Sequence, residues 1–337
     1  MDALWSDILD QPRALRAALA ATRTAEGLPR ARDLCRAAPR ILLTGMGASY
    51  FATYPAFLRL LASGAPVARL EAGELLHQAP GALDQGTAVI AVSQSGRSAE
   101  VVRLLEARGR ATIIGVTNDP TSPLATTAEV SIPLSVGPEG AGVATKTFTG
   151  SLLWLDLLLA DGGGAGWPEA IDALEHVLRT SGQWLPGLRA ALGMTEHVWF
   201  LGRGALLATA CAAGLMFKEA AGLHGEGLST PQFRHGPLEL AGPGRSALVL
   251  VSPGPLGRLD LDLAGEMAAA GMGGAAIHAA GSPPDPVQGV HSLHWPSLPA
   301  QPAVLAAAVQ CLAHAAALRL PREPGTFSRI GKVTTRE

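Results

Sequence analysis

Residues 88–98 read Ala-Val-Ile-Ala-Val-Ser-Gln-Ser-Gly-Arg-Ser, an apolar run that ends in small hydroxyl residues and a glycine. An amphipathic segment follows over residues 99–109. A strand that turns into a helix in this way places backbone N–H groups and hydroxyls at a helix N-terminus, where anions bind. Arg97 is the only basic residue of this loop, so the lysine of a nucleotide-binding P-loop is missing. The stretch therefore predicts a site for one phosphate group on a small molecule.

Strands and helices alternate around this stretch. Strands are predicted at 41–43, 67–70, 88–92, 112–116 and 129–134, and helices at 50–61, 99–109 and about 150–160. Residues 3–37 have apolar positions at helical spacing, and Pro12 and Pro29 divide them into two or three predicted short helices. The alternation is typical of a parallel, doubly wound sheet covered by helices.

The second half repeats this pattern after a glycine-rich break at residues 162–166, with an offset of about 155 to 162 residues. Strands are predicted at 198–201, 247–251 and 275–279, and helices at 169–179, 206–223 and 303–318. Residues 252–254 read Ser-Pro-Gly where the first copy has Ser-Gln-Ser, so hydroxyls and a backbone donor are missing. Only the first copy is expected to hold a phosphate, at the carboxyl ends of its strands.

The composition limits the class of protein. The chain has 337 residues, 48% of them apolar and 16% charged, which indicates compact α/β structure rather than disorder. A net charge of −2 without basic clusters gives no reason to expect nucleic acid or a membrane surface as a partner, and no apolar run is long enough to span a membrane. Three widely spaced cysteines form neither a disulfide framework nor a zinc motif, so we expect a cytoplasmic location.

Five polar residues could form the phosphate site. Ser49 and the serines at 93, 95 and 98 come from two neighbouring strand-to-helix turns, and with Gln94 they can converge on one anion. The alternative is that they are helix caps and turn residues, which serine favours in any case.

Three further residues are candidates for chemistry. Glu219 lies near the end of a predicted helix with small or apolar neighbours, where partial burial would raise its pKa and make it a base for C–H proton transfer. It can also be an ordinary charge at a helix end, beside Lys218. His235 falls in a tight turn, where histidines are usually just solvated, and Lys332 lies in a polar tail that by itself indicates a frayed terminus.

Together these motifs resemble a tandem sugar isomerase (SIS) domain protein, similar to the isomerase half of glucosamine-6-phosphate synthase and to the SIS-type glucosamine-6-phosphate deaminases. The resemblance runs from about residue 40 to the last residue. Besides the serine loop and Lys332, it rests on Gly-Ala-Ser-Tyr at 47–50, Thr-Lys-Thr-Phe-Thr at 145–149, Lys-Glu at 218–219 and His-Gly-Pro-Leu at 235–238. It implies an α/β fold of two tandem SIS domains, each a doubly wound, mostly parallel sheet flanked by helices.

The resemblance also implies an order of domains. We expect a helical N-terminal segment (1–39), a first, phosphate-binding SIS domain (40–162), a helical connection (163–190), a second SIS domain (191–320) and a tail (321–337) that covers the active site.

The resemblance assigns a role to each candidate. Ser49, Ser93, Gln94, Ser95 and Ser98 would hold the sugar phosphate. The catalytic glutamate, which moves a proton between C1 and C2, falls on Glu219. The histidine that assists ring opening from the partner subunit of a homodimer falls on His235, and the lysine that can form an imine with the open-chain ketose falls on Lys332. No metal or redox cofactor is implied, because acid–base chemistry on an open-chain aldose needs none.

The chain departs from the synthase pattern in three places. Met216 stands where the synthase has a lysine three residues before the glutamate, and Ala144 replaces a serine. About forty residues precede the first predicted strand, and they begin with Met1-Asp2 rather than a cysteine nucleophile, so glutaminase activity is not expected.

The expected function is therefore an amino-sugar phosphate deaminase/isomerase that converts glucosamine 6-phosphate to fructose 6-phosphate and ammonia. One alternative is the same chemistry on another phosphosugar amine, such as galactosamine 6-phosphate or a glycated amino acid 6-phosphate. The other is a sugar-phosphate sensor without turnover. Such sensors usually carry a DNA-binding helix-turn-helix, for which residues 1–39 are too short and insufficiently basic.

Overall fold

The computed structural model describes residues 1–159, 164–193, 195–278, 285–295 and 300–336. The chain divides into two compact units. The first unit comprises Asp10–Trp167 and Phe327–Glu337, and the second comprises Met1–Leu9 and Pro168–Thr326. Each unit is built on its own sheet.

The sheet of the first unit has five parallel strands. They are β1 (Arg40–Gly45), β2 (Val67–Arg69), β3 (Thr87–Val92), β4 (Thr112–Thr117) and β5 (Val130–Pro133), and they lie in the order β2-β1-β3-β4-β5. All residues of β3 are buried, as expected for a central strand covered by helices on both faces. The five predicted strands are confirmed to within two residues at each end.

The helices of this part of the chain are α1 (Ala3–Ala21), α2 (Gly27–Ala37), α3 (Gly47–Ala52), α4 (Tyr54–Ala62), α5 (Ala72–Gln78), α6 (Ala99–Ala107), α7 (Pro123–Thr127) and α8 (Lys146–Leu159). A short 3-10 helix covers Pro80–Ala82. The first residues of α1 belong to the second unit.

Proline positions explain two differences from the predicted helices. The predicted break at Pro12 is wrong, because α1 continues through it. Leu4, Ile8 and Leu15 are fully buried on this helix, and their packing outweighs the backbone hydrogen bond that proline removes. The single helix predicted over residues 50–61 is α3 and α4, and Pro55 lies in the first turn of α4, where its missing N–H costs little.

The second unit also has a parallel five-stranded sheet. Its strands are β6 (His197–Gly202), β7 (His224–Ser229), β8 (Ser246–Val251), β9 (Gly273–His278) and β10 (Val290–His294), in the order β10-β9-β8-β6-β7. Its helices are α9 (Trp167–Arg179), α10 (Ser181–Leu192), α11 (Leu206–Ala221), α12 (Thr230–Arg234), α13 (Leu256–Ala269) and α14 (Gln301–Ala317), with a 3-10 helix at Pro237–Leu240.

The sequence did not predict β7, β10, α10, α12 or α13. Strand β7 reads His-Gly-Glu-Gly-Leu-Ser, which has two glycines where strands favour branched residues. The structure supplies the reason for the glycines, because a Cβ at Gly227 would collide with the backbone of Cys211, and a Cβ at Gly225 with the backbone of Gly214. Helix α11 thus lies directly against β7, and this approach requires glycine.

Both sheets share one topology. In each of them the first strand in chain order lies between the second and the third. The connections therefore leave in opposite directions on the two sides of the first strand, which creates a crevice at the carboxyl ends of β1 and β3, and likewise of β6 and β8. The predicted break at 162–166 and the ends of the predicted segments at Ala160 and Ala279 lie partly or wholly outside the described residues.

Two properties of the described residues bear on partners. None of their helices is both long enough and apolar enough to cross a bilayer. Among the same residues, no group of three or more His, Cys, Asp or Glu side chains is arranged to hold a metal ion.

Candidate functional site

The serine loop lies at the crevice of the first sheet. Strands β1 and β3 are parallel neighbours, with Gly45 paired with Val92 at their carboxyl ends. Ser93 follows β3 directly, and Ser49 lies in α3, four residues after the end of β1. The two turns predicted to hold a phosphate therefore open at the same edge of the sheet, at the point where the strand order reverses.

The hydrogen bonds of the serine hydroxyls show which of these serines act only as helix caps or turn residues. Ser93 Oγ accepts a hydrogen bond from the N–H of Gly96 (3.1 Å), and Ser95 Oγ accepts one from the N–H of Arg97 (3.2 Å). These two contacts are those of turn residues. Ser98 occupies the N-cap position of α6, but its side chain makes no capping hydrogen bond. Capping therefore does not account for the hydroxyl of Ser98.

The next loop of the sheet holds the serine loop in place. The carbonyl oxygen of Gln94 accepts a hydrogen bond from the N–H of Asn118 (3.0 Å). Arg97 forms an ion pair with Asp119 (2.9 Å) and donates to the hydroxyl of Thr121 (3.0 Å). The one guanidinium of the loop is thus used to join two loops, and the rigid backbone between them suits a preorganised anion site.

Gly96 is required by both conformation and space. Its φ of +61° is in the left-handed region, which favours glycine. A Cβ at this position would also collide with the side chain of Ser122. The loop can reach this conformation only with glycine here.

Arg69 holds the helix that carries Ser49. Its guanidinium lies over the ring of Tyr50, 3.5 Å from the centroid, and donates to the carbonyl oxygen of the same residue (2.8 Å). It also donates to Thr53 Oγ1 (2.7 Å). Sequence analysis missed this role, because Arg69 is at the end of β2 and lies next to α3 only through the pairing of β1 with β2.

The C-terminal tail folds back within the first unit. Lys332 Nζ donates hydrogen bonds to the carbonyl oxygens of Glu139 and Ala141, the latter at 2.7 Å. The N–H of Ala99, the first residue of α6, donates to the carbonyl oxygen of Thr334 (3.0 Å). The tail is therefore packed against the helix that follows the serine loop, and the interpretation as a frayed end is wrong.

The segment that receives Lys332 is itself fixed by a buried carboxylate. Glu139 accepts hydrogen bonds from the N–H (2.6 Å) and the hydroxyl (2.8 Å) of Thr145 and from the hydroxyl of Thr147 (2.5 Å). It thus caps the N-terminus of α8, which explains why this helix begins at Lys146 rather than near residue 150 as predicted. Lys146 is nearly buried and pairs with Asp10 (3.0 Å).

Glu219 lies in the last turn of α11, in the second unit. Burial raises the pKa of its carboxyl from the ordinary value of 4.5 to about 7, although the neighbouring Lys218 acts in the opposite direction. Met216 is buried one turn earlier, so the position where the synthase pattern has a lysine carries no charge here. A positive charge at that position would favour the ionised carboxylate and lower its pKa.

His235 is exposed and lies immediately after α12. Gly236 follows with φ of +119°, and the 3-10 helix at Pro237–Leu240 completes a tight turn, as predicted. An exposed imidazole on such a turn is accessible from outside this chain.

The structure thus brings the five phosphate candidates and Lys332 into the first unit and places Glu219 and His235 in the second. Within the first unit, Ser49, Ser93, Gln94, Ser95 and Ser98 gather at one sheet edge. Sequence analysis missed Glu139, Arg69 and Thr334. Glu139 precedes Thr145 by six residues, which matches no capping motif, so no local signal identified it.

Residues 34–160 match the profile described as the SIS domain. The chain therefore carries a SIS domain, and the match includes the serine loop and all five strands of the first sheet. A glutamine–fructose-6-phosphate aminotransferase (isomerizing) of Pyrococcus horikoshii is 29% identical over 254 residues, which cover 70% of this chain and 41% of the relative. The matched part thus spans less than half the length of that curated relative.

Solved structures show the same fold. The C-terminal domain of glucosamine-fructose-6-phosphate aminotransferase from Francisella tularensis superposes with a TM-score of 0.81 at 21% identity, covering 94% of this chain and 96% of that one. Glucosamine-6-phosphate deaminase from Thermotoga maritima gives a TM-score of 0.78 at 20% identity, covering 98% and 99%. These likenesses extend to both sheets of the chain.

Proposed function

We propose that this SIS-domain chain is an amino-sugar phosphate deaminase/isomerase, which converts glucosamine 6-phosphate and water to fructose 6-phosphate and ammonia. The observation that carries the proposal is the raised pKa of Glu219, about 7. A carboxyl group with this pKa accepts and returns a proton near neutral pH, as the transfer of hydrogen between adjacent carbons requires. The likeness of the fold to that of the glucosamine-6-phosphate deaminase from Thermotoga maritima supports the choice of reaction.

The proposed reaction begins with ring opening, assisted by His235. Glu219 then removes the proton from C2 of the open-chain aldehyde and delivers it to C1. A proton also passes from the C2 amine to O1, so that C1 becomes a CH2OH group and C2 becomes an imine. Water then hydrolyses the imine to the ketose and ammonia. No redox change occurs, since the oxidation of C2 balances the reduction of C1.

The serine loop would bind the phosphate end of the same sugar. Hydroxyls and backbone N–H groups at the edge of the sheet can hold one phosphate dianion, and this remote binding would position the reacting carbons. After leaving the two carbonyl oxygens that it contacts in the structure, Lys332 could attack the C2 imine and displace ammonia, which forms an imine between the lysine and the open-chain ketose. Water would then hydrolyse this imine to the ketose and the free lysine.

A direct assay tests the proposal. Purified protein is incubated with glucosamine 6-phosphate, and ammonia and fructose 6-phosphate are both measured. Equal amounts of the two products are expected. Folded protein that binds the sugar phosphate but releases no ammonia would exclude the deaminase.

We also propose that the chain works as a homodimer in which His235 reaches the partner's site. The exposed imidazole and the nearby exposed Leu240 support this, because both are available to a second subunit. Mixing inactive Glu219→Gln and His235→Ala proteins should restore part of the activity.

The shared strand order of the two sheets supports the tandem arrangement of two SIS domains over residues 40–162 and 191–320.

The alternatives keep the phosphate site and differ in the substrate or in whether any turnover occurs. A panel with galactosamine 6-phosphate and a glycated amino acid 6-phosphate would identify a different phosphosugar amine as the substrate. A sensor would bind such ligands and give no turnover with any of them, and Glu219→Gln would then have no activity to remove.

A further inference from the structure

Asn118 follows β4 directly, at the carboxyl edge of the first sheet, where β4 lies between β3 and β5. Its backbone N–H donates to the carbonyl oxygen of Gln94 in the serine loop (3.0 Å). Its side-chain amide donates in the other direction, to the carbonyl oxygen of Gly137 in the loop after β5 (2.8 Å). One residue thus joins the serine loop to the loop that follows the edge strand.

The loop after β5 also receives the tail. Gly137 lies two residues before Glu139 and four before Ala141, and the carbonyl oxygens of these two residues accept hydrogen bonds from Lys332 Nζ. The side chain of Asn118 therefore holds the same short segment, residues 137–141, that holds the lysine.

The tail makes a second contact at the start of α6, where the N–H of Ala99 donates to the carbonyl oxygen of Thr334 (3.0 Å). Hydrogen bonds thus form a closed ring. It runs from the serine loop through Asn118 to the loop after β5, continues through Lys332 into the tail, and returns to the end of the serine loop at α6. All members of the ring belong to the first unit.

The backbone of the loop after β5 needs support. Ser135 has a φ of +55°, in the left-handed region that residues other than glycine rarely adopt. Val136 is 1% exposed and packs so closely on α8 that a Cβ at Gly150 would collide with it. The amide of Asn118 holds the next residue, Gly137. Because Val136 stays packed without this amide, its removal should loosen residues 137–141 without unfolding the protein.

We propose that Asn118 is a positioning residue, whose side chain acts through residues 137–141 to keep Lys332 and the tail in the closed position. The side chain serves the tail and the backbone N–H serves the serine loop, so a substitution of the side chain separates the two roles. The part of Lys332 in the reaction rests on the proposed function, whereas the closure of the tail does not.

Limited trypsin digestion of the full-length protein without ligand measures how often the tail opens. Arg329 is an exposed trypsin site in the tail, and mass spectrometry reads the cleavage after it. Asn118→Ala should speed this cleavage about two- to tenfold, the equivalent of one hydrogen bond, because cleavage follows the population of the open tail. Asn118→Asp keeps the shape but turns a carboxylate toward the carbonyl oxygen of Gly137, so it should speed cleavage more.

Ser135→Ala is the matched control in the same loop. The hydroxyl of Ser135 contacts the carbonyl oxygen of Pro133, two residues away (3.4 Å), so this variant should be cleaved at the rate of the parent. The thermal unfolding midpoint of each variant shows whether it is folded.

A double variant tests the route of the effect. If Asn118 acts through Lys332, the protein with both Asn118→Ala and Lys332→Met should be cleaved at the rate of Lys332→Met alone. A general loss of stability would instead add to the effect of Lys332→Met.

Two further measurements concern the proposed function. Asn118→Ala should bind fructose 6-phosphate as the parent does, since the N–H that holds Gln94 remains. The borohydride adduct of this sugar on Lys332 should form severalfold more slowly, because the lysine is held less often beside the serine loop.

Cleavage of both Asn118 variants at the rate of the parent would overturn the proposal, and so would additive effects in the double variant. A loss of fructose 6-phosphate binding in Asn118→Ala would also overturn it, since the side chain would then support the serine loop itself. A parent protein that releases no ammonia contradicts the proposed function alone, because the digestion needs no turnover.

Discussion

The carbonyl oxygen of Thr334 accepts a hydrogen bond of 3.0 Å from the N–H of Ala99. The two residues are far apart in the sequence, and the contact joins the tail to the first residue of the helix that follows the serine loop. With Lys332 bound to the carbonyl oxygens of Glu139 and Ala141, it defines a closed tail beside the phosphate candidates.

Lys332→Met should leave the protein folded and able to bind the sugar phosphate but should reduce deaminase turnover. The methionine keeps most of the length of the side chain and loses the ammonium group that holds the tail and would form the imine. Borohydride added with fructose 6-phosphate should fix a covalent adduct on the unmodified protein, read by mass spectrometry. Lys218→Met, at an exposed position, is the control for the adduct alone, because Lys218 also lowers the pKa of Glu219. An adduct that persists in Lys332→Met would exclude Lys332.

Glu219→Gln should lower kcat about 10²- to 10⁴-fold and leave the binding of glucosamine 6-phosphate intact, because the amide keeps the shape but cannot accept the proton. In the unmodified enzyme, activity should fall as the pH decreases through about 7, where the carboxylate is protonated. Turnover is measured from pH 5 to 9. A variant that retains full activity would remove Glu219 from the mechanism.

The same substitution should change how stability depends on pH. A raised pKa means that the folded protein favours the neutral carboxyl, so the unmodified chain loses stability as the pH rises from about 4.5 through about 7. Glu219→Gln lacks this loss. Its free energy of unfolding relative to the parent should thus increase over that range by about 3 kcal/mol, measured by urea unfolding at each pH. A difference that is flat with pH would mean that the pKa is ordinary.

Ser95→Ala should weaken binding of the sugar phosphate by about tenfold or more, since a hydrogen bond to a charged group contributes about 1.5–3 kcal/mol. Calorimetry with glucosamine 6-phosphate measures the effect. Ser63→Ala, at an exposed position outside the loop, is the matched control and should bind as the parent does. Equal affinities for the two variants would argue against a phosphate site at this loop.

Gly96→Ala should both destabilise the protein, by about 1–3 kcal/mol, and abolish phosphate binding. The left-handed backbone disfavours alanine, and the new Cβ would displace Ser122. Gly81→Ala is the comparison, because nothing lies within 4 Å of a Cβ there and its φ is ordinary. Urea unfolding of both variants measures the stability, and calorimetry with glucosamine 6-phosphate measures the binding. A stable Gly96→Ala protein would contradict the geometry described for the loop.

Local sequence patterns predicted the strands of the first unit. Its five strands are short apolar runs bounded by turn residues, so their positions followed from the sequence, and parallel order then placed Ser49 and Ser93 at one edge. The burial of Glu219 could be anticipated from its small and apolar helical neighbours. Strand β7 could not be predicted, because its glycines are required by the close approach of α11. The residues of that contact are too far apart in the sequence for a local pattern to show it.

The sequence by itself determined the alternation of strands and helices and the position of the serine loop, since both depend on residues close together in the chain. Only the tertiary structure decided the roles of Arg69 and Glu139, whose partners lie in other elements. It also decided that the tail folds back. The physical reason is that hydrogen bonds between distant segments form only when the sheet has brought those segments together. A local sequence pattern therefore cannot predict them.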